Sequence, residues 1–267
     1  MMYIDPSDAS ISKMEVYSEI LGSKQHNVLP LIILHGWWNS SHTIRPLAEK
    51  LQTFTEIHLI DLPGHGNTPP PKEIWNMQNF AECIKEYLDK KDIKKAHFIG
   101  HSFGGKTIIK LAFLYPQLLD HIVLIGASGI RPKPKLKRKI YFSFLALLRK
   151  FIRFKNTKLG QRIYQNWYIP RFASRDYLNS DGIMRQTFVK TLNEELKQEL
   201  TDIMAPTLLI WGENDDESPP QVGKEMASLI KNSHLVLIPN QGHHPFLGGS
   251  GALVAGYIRD FLFKGVK

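Results

Sequence analysis

Short, β-branched apolar runs alternate with helical patterns along the chain. LPLIILHG (29–36), EIHLIDLPGHG (56–66), KAHFIGHS (95–102), DHIVLIGAS (120–128), APTLLIWGE (205–213) and SHLVLIPNQGHH (233–244) are the main runs. Their near-continuous apolar character, without strict alternation, is what strands of a parallel sheet covered on both faces require. MEVYSEIL (14–21) alternates more and predicts an antiparallel edge strand. Amphipathic helical patterns fall between them, at 43–52, 76–91, 105–116, 219–232 and 252–265. Strands alternating with helices imply a doubly wound α/β sheet, with function gathered at the carboxyl ends of the strands. One region breaks the alternation. From Ile130 to Thr201 no strand pattern occurs, and the segment reads as a helical cap inserted between two late strands. The expected organisation is a core of 1–129 and 202–267, with a cap of 130–201.

Composition changes this picture little. The chain has 267 residues, 43% hydrophobic and 22% charged, which suits one large domain with a full core. No apolar run reaches the roughly 20 residues of a membrane span. The start, MMYIDPSDAS, lacks the basic and apolar regions of a signal peptide. Cys83 is the single cysteine, so no intrachain disulfide forms; a cytoplasmic location is expected. Its place on an amphipathic helix reads as packing.

Charge is more informative. The net charge is +9, but the segment from His121 to Arg175 holds fourteen Lys or Arg and no Asp or Glu. The remainder carries twenty basic residues against twenty-five acidic ones. The positive charge therefore belongs to the cap and not to the surface at large.

The chemistry-bearing stretches are HGWW (35–38), DLPGHG (61–66), GHSFGG (100–105), WGENDD (211–216) and GHHPF (242–246). In this order they resemble the α/β-hydrolases, and the likeness covers nearly all of the chain outside the cap. GHSFG lies between a strand and a helix, the context of a nucleophile elbow. A turn that tight admits only small residues beside the serine, hence Gly100 and Gly104, and it presents the Ser102 hydroxyl at a helix N-terminus. The resemblance implies a triad of Ser102, Asp215 and His243. His243 would take the serine's proton and Asp215 would hold the imidazole. His244 competes for the first role; Asp216, Glu213 and Glu217 lie near the second, and Glu217 reads as a solvated turn residue. The resemblance also places an oxyanion hole at the backbone N–H groups of Trp37 and Phe103, leaving both side chains free to line the pocket. Trp38 reads as core packing. DLPGHG reads as a structural loop in which His65 is no catalyst, and His101 as a packing or hydrogen-bonding residue. No His/Cys set has metal-ligand spacing and no phosphate-binding loop occurs, so neither metal nor cofactor is expected.

Serine at the elbow sets the chain apart from haloalkane dehalogenases and epoxide hydrolases, which carry aspartate there. A cap without acids before Asp176 counts against proline iminopeptidases. Ester or thioester hydrolysis is the expected activity, with carbon–carbon bond hydrolysis of diketone-type substrates, perhydrolysis, acyl transfer and non-catalytic ligand binding as alternatives. KIYFSFLALL (139–148) is apolar nearly all round, so Phe142 and Leu145 are expected to roof a pocket for an apolar acyl group. The basic cap has three readings. It is a solvated surface, a dock for an acidic carrier protein, or a contact with an anionic membrane surface. The second follows a distant resemblance to the methyl esterases of pimeloyl-acyl-carrier-protein. Arg131, Lys135, Arg138, Lys139, Arg149, Arg153 and Arg162 are the candidate contacts. Nucleic acid is not expected, because the acidic remainder makes a poor groove-tracking surface.

Overall fold

The computed structural model describes residues 14–131 and 175–263. Seven strands form one sheet: β1 (Ser18–Leu21), β2 (Leu31–Leu34), β3 (Ile57–Ile60), β4 (Ala96–His101), β5 (Leu119–Ile125), β6 (Thr207–Gly212) and β7 (Ser233–Ile238), in the order β1-β3-β2-β4-β5-β6-β7. All neighbours pair in parallel except β1, which runs antiparallel to β3 at the edge, as its alternating pattern predicts. This is the expected α/β-hydrolase fold. The predicted strand at 14–21 is shorter than its pattern, because pairing with β3 begins only at Ser18.

The apolar runs are buried on both faces. In β2, Ile32 and Leu34 join a core with Phe98, Leu124 and Trp211, covered by α2 (Met77–Lys90), α3 (Phe103–Leu114) and α7 (Pro220–Leu229). Leu31 and Ile33 face the opposite core with Ile99, Val123 and Ile210, under α1 (Ser41–Leu51) and α8 (Gly251–Leu262). A run apolar at every position is thus two half-cores back to back. Helix α2 begins where Asn76 and Asn79 cap each other. The Asn76 side chain accepts from the Asn79 N–H at 3.0 Å, and the Asn79 side chain accepts from the Asn76 N–H at 2.9 Å.

Strand order reverses between β2 and β4, which follow one another in space but flank β3 and β5 on opposite sides. A crevice opens at the carboxyl ends of strands at such a point. The HGWW loop after β2 and the GHSFG turn after β4 are thereby neighbours, although 66 residues separate His35 from His101.

Between β5 and β6 the described residues form helices alone: α4 (Arg175–Asn179), α5 (Gly182–Asn193) and α6 (Lys197–Thr201). The two ends of this insertion meet where the Leu196 N–H donates to the Gly129 carbonyl at 2.8 Å. Phe142 and Leu145 of the expected roof, and the basic residues Lys135, Arg138, Lys139, Arg149, Arg153 and Arg162, lie outside the described residues. No helix among the described residues is long and apolar enough to cross a membrane.

Candidate active site

Ser102 stands between β4 and α3 with φ 50° and ψ −110°, a left-handed backbone that a non-glycine residue adopts at a cost on the order of 1–3 kcal/mol. Its neighbours hold it there. The Ser102 N–H donates to the Ile125 carbonyl at 3.0 Å, and its own carbonyl accepts from the N–H groups of Lys106 and Ser128, each at 3.1 Å. The elbow glycines are dictated by contact. A Cβ on Gly104 would lie 2.3 Å from the Leu34 carbonyl oxygen, and one on Gly100 2.6 Å from the Gly105 backbone.

The loop after β6 supplies Asp215, which is 4% exposed. Its Oδ1 accepts from the N–H groups of Glu217 (3.0 Å) and Ser218 (2.8 Å), and its Oδ2 meets Nδ1 of His243 at 2.8 Å. With Nδ1–H donating to a carboxylate, the other ring nitrogen, Nε2, is the proton acceptor. Burial opposes charge on the His243 ring, but the hydrogen bond and charge of Asp215, aided by Glu217 and Asp176, outweigh it and raise the pKa above 6.5. Gly126, φ 52°, makes room for this pair: a Cβ there would sit 3.2 Å from both Asp215 Oδ2 and His243 Nδ1.

His101 locks the histidine loop from beneath. Its Nε2–H donates to the His243 carbonyl at 2.9 Å, and its ring lies 4.7 Å from that of His243 and 4.6 Å from that of His244. Burial, with the two neighbouring histidines, holds its pKa well below 6.5, so it stays neutral. His244 is half-buried and makes no contact with Asp215 comparable to that of His243.

His35 sets the HGWW loop. Its Nδ1–H donates to the Gly36 carbonyl (2.7 Å) and its Nε2 accepts from the Leu62 N–H (3.0 Å); burial lowers its pKa to about 4 and keeps it neutral. Among the described residues, the backbone N–H groups of Trp37 and Phe103 have no acceptor. Two unspent donors beside Ser102 are what an oxyanion site requires. The Trp37 ring packs edge-on against Phe103 at 4.8 Å and His65 at 4.7 Å, and its Nε1–H donates to Ser180 Oγ of the cap at 3.3 Å. Trp38 departs from the expectation of core packing. The turn puts it at φ 58°, which directs the side chain outward, 38% exposed. The DLPGHG loop is built by Asp61, whose carboxylate accepts from the Ser41 N–H (2.6 Å) and the Asn67 N–H (2.9 Å). His65 donates from Nδ1 to Pro63 and takes no place in the pocket.

One pocket brings these parts together: Trp37, Ser102, Phe103, Ser218 and His243 line it from the core, and Asp176, Phe188, Thr191 and Leu192 from the cap side. Three charged residues there escape sequence reasoning. Glu217, read as a solvated turn, is exposed, yet its carboxylate lies 3.8 Å from His243 Nε2. Asp176 is partly buried, and burial followed by the charge of Glu217 raises its pKa. Lys106 is buried and donates from Nζ to the carbonyls of Thr191 (2.7 Å) and Glu194 (2.6 Å); burial lowers its pKa to about 8. Its only signal in sequence is a lysine one turn after the elbow serine.

The sequence profile of the α/β hydrolase fold matches residues 30–250, and the chain belongs to that family of hydrolases. Among curated relatives, 2-hydroxy-6-oxononadienedioate/2-hydroxy-6-oxononatrienedioate hydrolase of Escherichia coli K12 is 27% identical over 240 residues, 80% of each chain. Among solved structures, the enol-lactonase of Burkholderia xenovorans superposes with a TM-score of 0.72 at 19% identity, over 96% of this chain and 99% of that one. A thermophilic esterase from Thermogutta terrifontis gives 0.70 at 20% identity, over 96% of each.

Proposed function

We propose that the chain is a serine hydrolase that cleaves a carboxylic ester or thioester through an acyl-enzyme on Ser102. The observation that carries this reading is the 2.8 Å His243–Asp215 hydrogen bond in the pocket that also holds the strained Ser102. His243 Nε2 takes the Ser102 proton as Oγ attacks the carbonyl carbon. The N–H groups of Trp37 and Phe103 receive the oxyanion. The imidazolium then protonates the leaving alcohol or thiol, and a water molecule, deprotonated by the same nitrogen, releases the acid. Asp215 steadies the imidazolium through Oδ2 while its Oδ1 stays occupied by the two loop N–H groups.

The family likeness to a carbon–carbon bond hydrolase gives a second reading on the same Ser102. The pocket charge among the described residues favours the ester. Asp176 and Glu217 beside His243 repel a dianionic substrate, and Lys106 spends two of its three donors on cap carbonyls. Arg131, a candidate contact for an acidic carrier, donates from one guanidinium nitrogen to the backbone and side-chain oxygens of Asn193 at 2.6 and 3.1 Å and keeps its other donors and its charge. The single buried thiol of Cys83 suits a cytoplasmic setting.

The test is hydrolysis of p-nitrophenyl esters, from acetate to long chains, by the wild type and Ser102→Ala, beside a vinylogous diketone acid. Serine-dependent ester turnover supports the first reading. Turnover of the diketone alone transfers the assignment to carbon–carbon cleavage, and turnover of neither by the folded protein turns it to a carrier-linked ester or to ligand binding.

A further inference from the structure

At the other end of β4, a second cluster of chemistry-bearing side chains forms. We propose that His97, Asp120 and His121 bind a borderline divalent transition-metal ion, zinc foremost. The backbone brings them together. Ala96 pairs with Leu119 but Phe98 pairs with Ile122, so one residue of β4 stands opposite two of β5. That irregularity is a bulge, the device by which strands re-aim side chains. Here it sets both Asp120 and His121 beside His97, and the three offer ligand atoms that all lie within 4.8 Å of one another.

His97 is the pointer to a ligand. It is 6% exposed, and its Nδ1 has no hydrogen-bond partner among the described residues, although it stands 3.5 Å from Asp120 Oδ2. A buried ring nitrogen without a partner is costly unless something fills its place. His121 Nδ1 approaches the same carboxylate oxygen at 2.6 Å. The rings of Phe261 and Phe263 form an apolar wall, 5.2 Å from His121 and 5.8 Å from His97.

Two imidazole nitrogens and one carboxylate oxygen suit zinc, copper, nickel or cobalt better than magnesium or calcium. Tetrahedral zinc with bonds near 2.0–2.1 Å holds its ligand atoms about 3.3 Å apart. The His97–Asp120 spacing already matches, and the half-exposed His121 must draw back from the carboxylate by a side-chain rotation. Binding moves the His121 Nδ1 proton to Nε2 or to solvent. Lys95 is the opposing charge. Its ammonium holds Asp120 Oδ1 at 2.5 Å while leaving Oδ2 to the metal, and it is half exposed. Three protein ligands leave the fourth position of the ion to water. About 16 Å of strand separates His97 from Ser102, at 3.3 Å per residue, so the ion would clamp β4 to β5 and take no part in turnover.

The test uses the untagged full chain, titrated calorimetrically with zinc and spectroscopically with cobalt, whose visible bands report a four-coordinate site. One equivalent should bind the wild type. His97→Gln and His121→Gln should each weaken binding tenfold or more, and Lys95→Gln, which removes the opposing charge on Asp120 without replacing a ligand, should tighten it. Binding should persist in a His243→Gln/His244→Gln double variant. Unchanged affinity in both ligand variants, loss only in the His243/His244 variant, or no binding at tens of micromolar zinc would overturn the proposal. His121→Gln and Lys95→Gln alter partly exposed residues, so the comparison survives if His97→Gln fails to fold.

Discussion

The ammonium of Lys106 lies 2.7 Å from the carbonyl oxygen of Thr191, joining the helix that begins at the elbow to the last turn of cap helix α5. A second bond, to the Glu194 carbonyl, completes a lysine cap on a helix C-terminus, where carbonyls lack intrahelical partners and the dipole favours a cation. Lys106→Met leaves the Glu194 oxygen without its donor and the Thr191 oxygen with only the Glu194 N–H at 3.2 Å, and should destabilise the fold by about 1–3 kcal/mol at pH 7. The pH dependence gives the sharper test. Burial lowers the Lys106 pKa from 10.5 to about 8. Between those values the unfolded chain holds a proton that the folded one has released, so this group adds stability as pH rises from 8 to 10.5 and withdraws it as pH falls through 8. Urea unfolding across that range should therefore bring the Met variant closer to the wild type at low pH than at high pH. A constant gap would mean that the lysine titrates normally.

Ser102 carries a prediction about strain. Ser102→Ala should abolish ester turnover and keep the left-handed backbone at φ 50°. Ser102→Gly should be equally inactive yet more stable than the Ala variant, because glycine adopts that conformation without a Cβ penalty. Thermal unfolding of the pair measures the difference. Equal melting temperatures would mean the elbow stores no strain.

The three carboxylates around His243 govern the pH profile. In the proposed mechanism His243 is the general base and must be neutral, so kcat/KM should rise with pH through a midpoint above 6.5. Glu217→Gln and Asp176→Asn each remove a negative charge that favours the imidazolium, and each should shift the midpoint to lower pH. Profiles with p-nitrophenyl acetate decide this; an unmoved midpoint in both variants would detach these residues from the base.

His101 and His244 separate a positioning role from a neighbouring one. His101→Phe keeps the ring and loses the bond to the His243 carbonyl, so kcat should fall tenfold or more with little change in KM. His244→Ala should change kcat much less. A lethal His244→Ala would transfer the base to that residue.

Much of this was legible in the sequence, for identifiable reasons. The strands were plain because a doubly covered sheet forces apolar residues at every position, as in Leu31–Leu34. The elbow was plain because Gly100 and Gly104 answer to contacts of less than 3 Å that no other residue satisfies. What stayed hidden depends on chain segments remote from each other. Glu217 reaches His243 only through the fold of two separate loops, and Lys106 finds its acceptors 85 and 88 residues away. Trp38 looked like core because composition does not record the left-handed turn that points it outward. His97, Asp120 and His121 went unnoticed because ligand spacing along one strand carries no trace of a bulge in the next.

The hydrogen bond from Leu196 to Gly129 closes the base of the insertion between β5 and β6. A loop whose ends are clasped can lengthen at little thermodynamic cost, since each doubling of a flexible loop adds only about 0.6 kcal/mol. The clasp thus fixes where the insertion leaves and rejoins the sheet, while its returning arm stays bound to the core through Ser180, Thr191 and Glu194. Exchange of the span between relatives should therefore keep the sheet intact only where the residues that meet Trp37 and Lys106 are carried along.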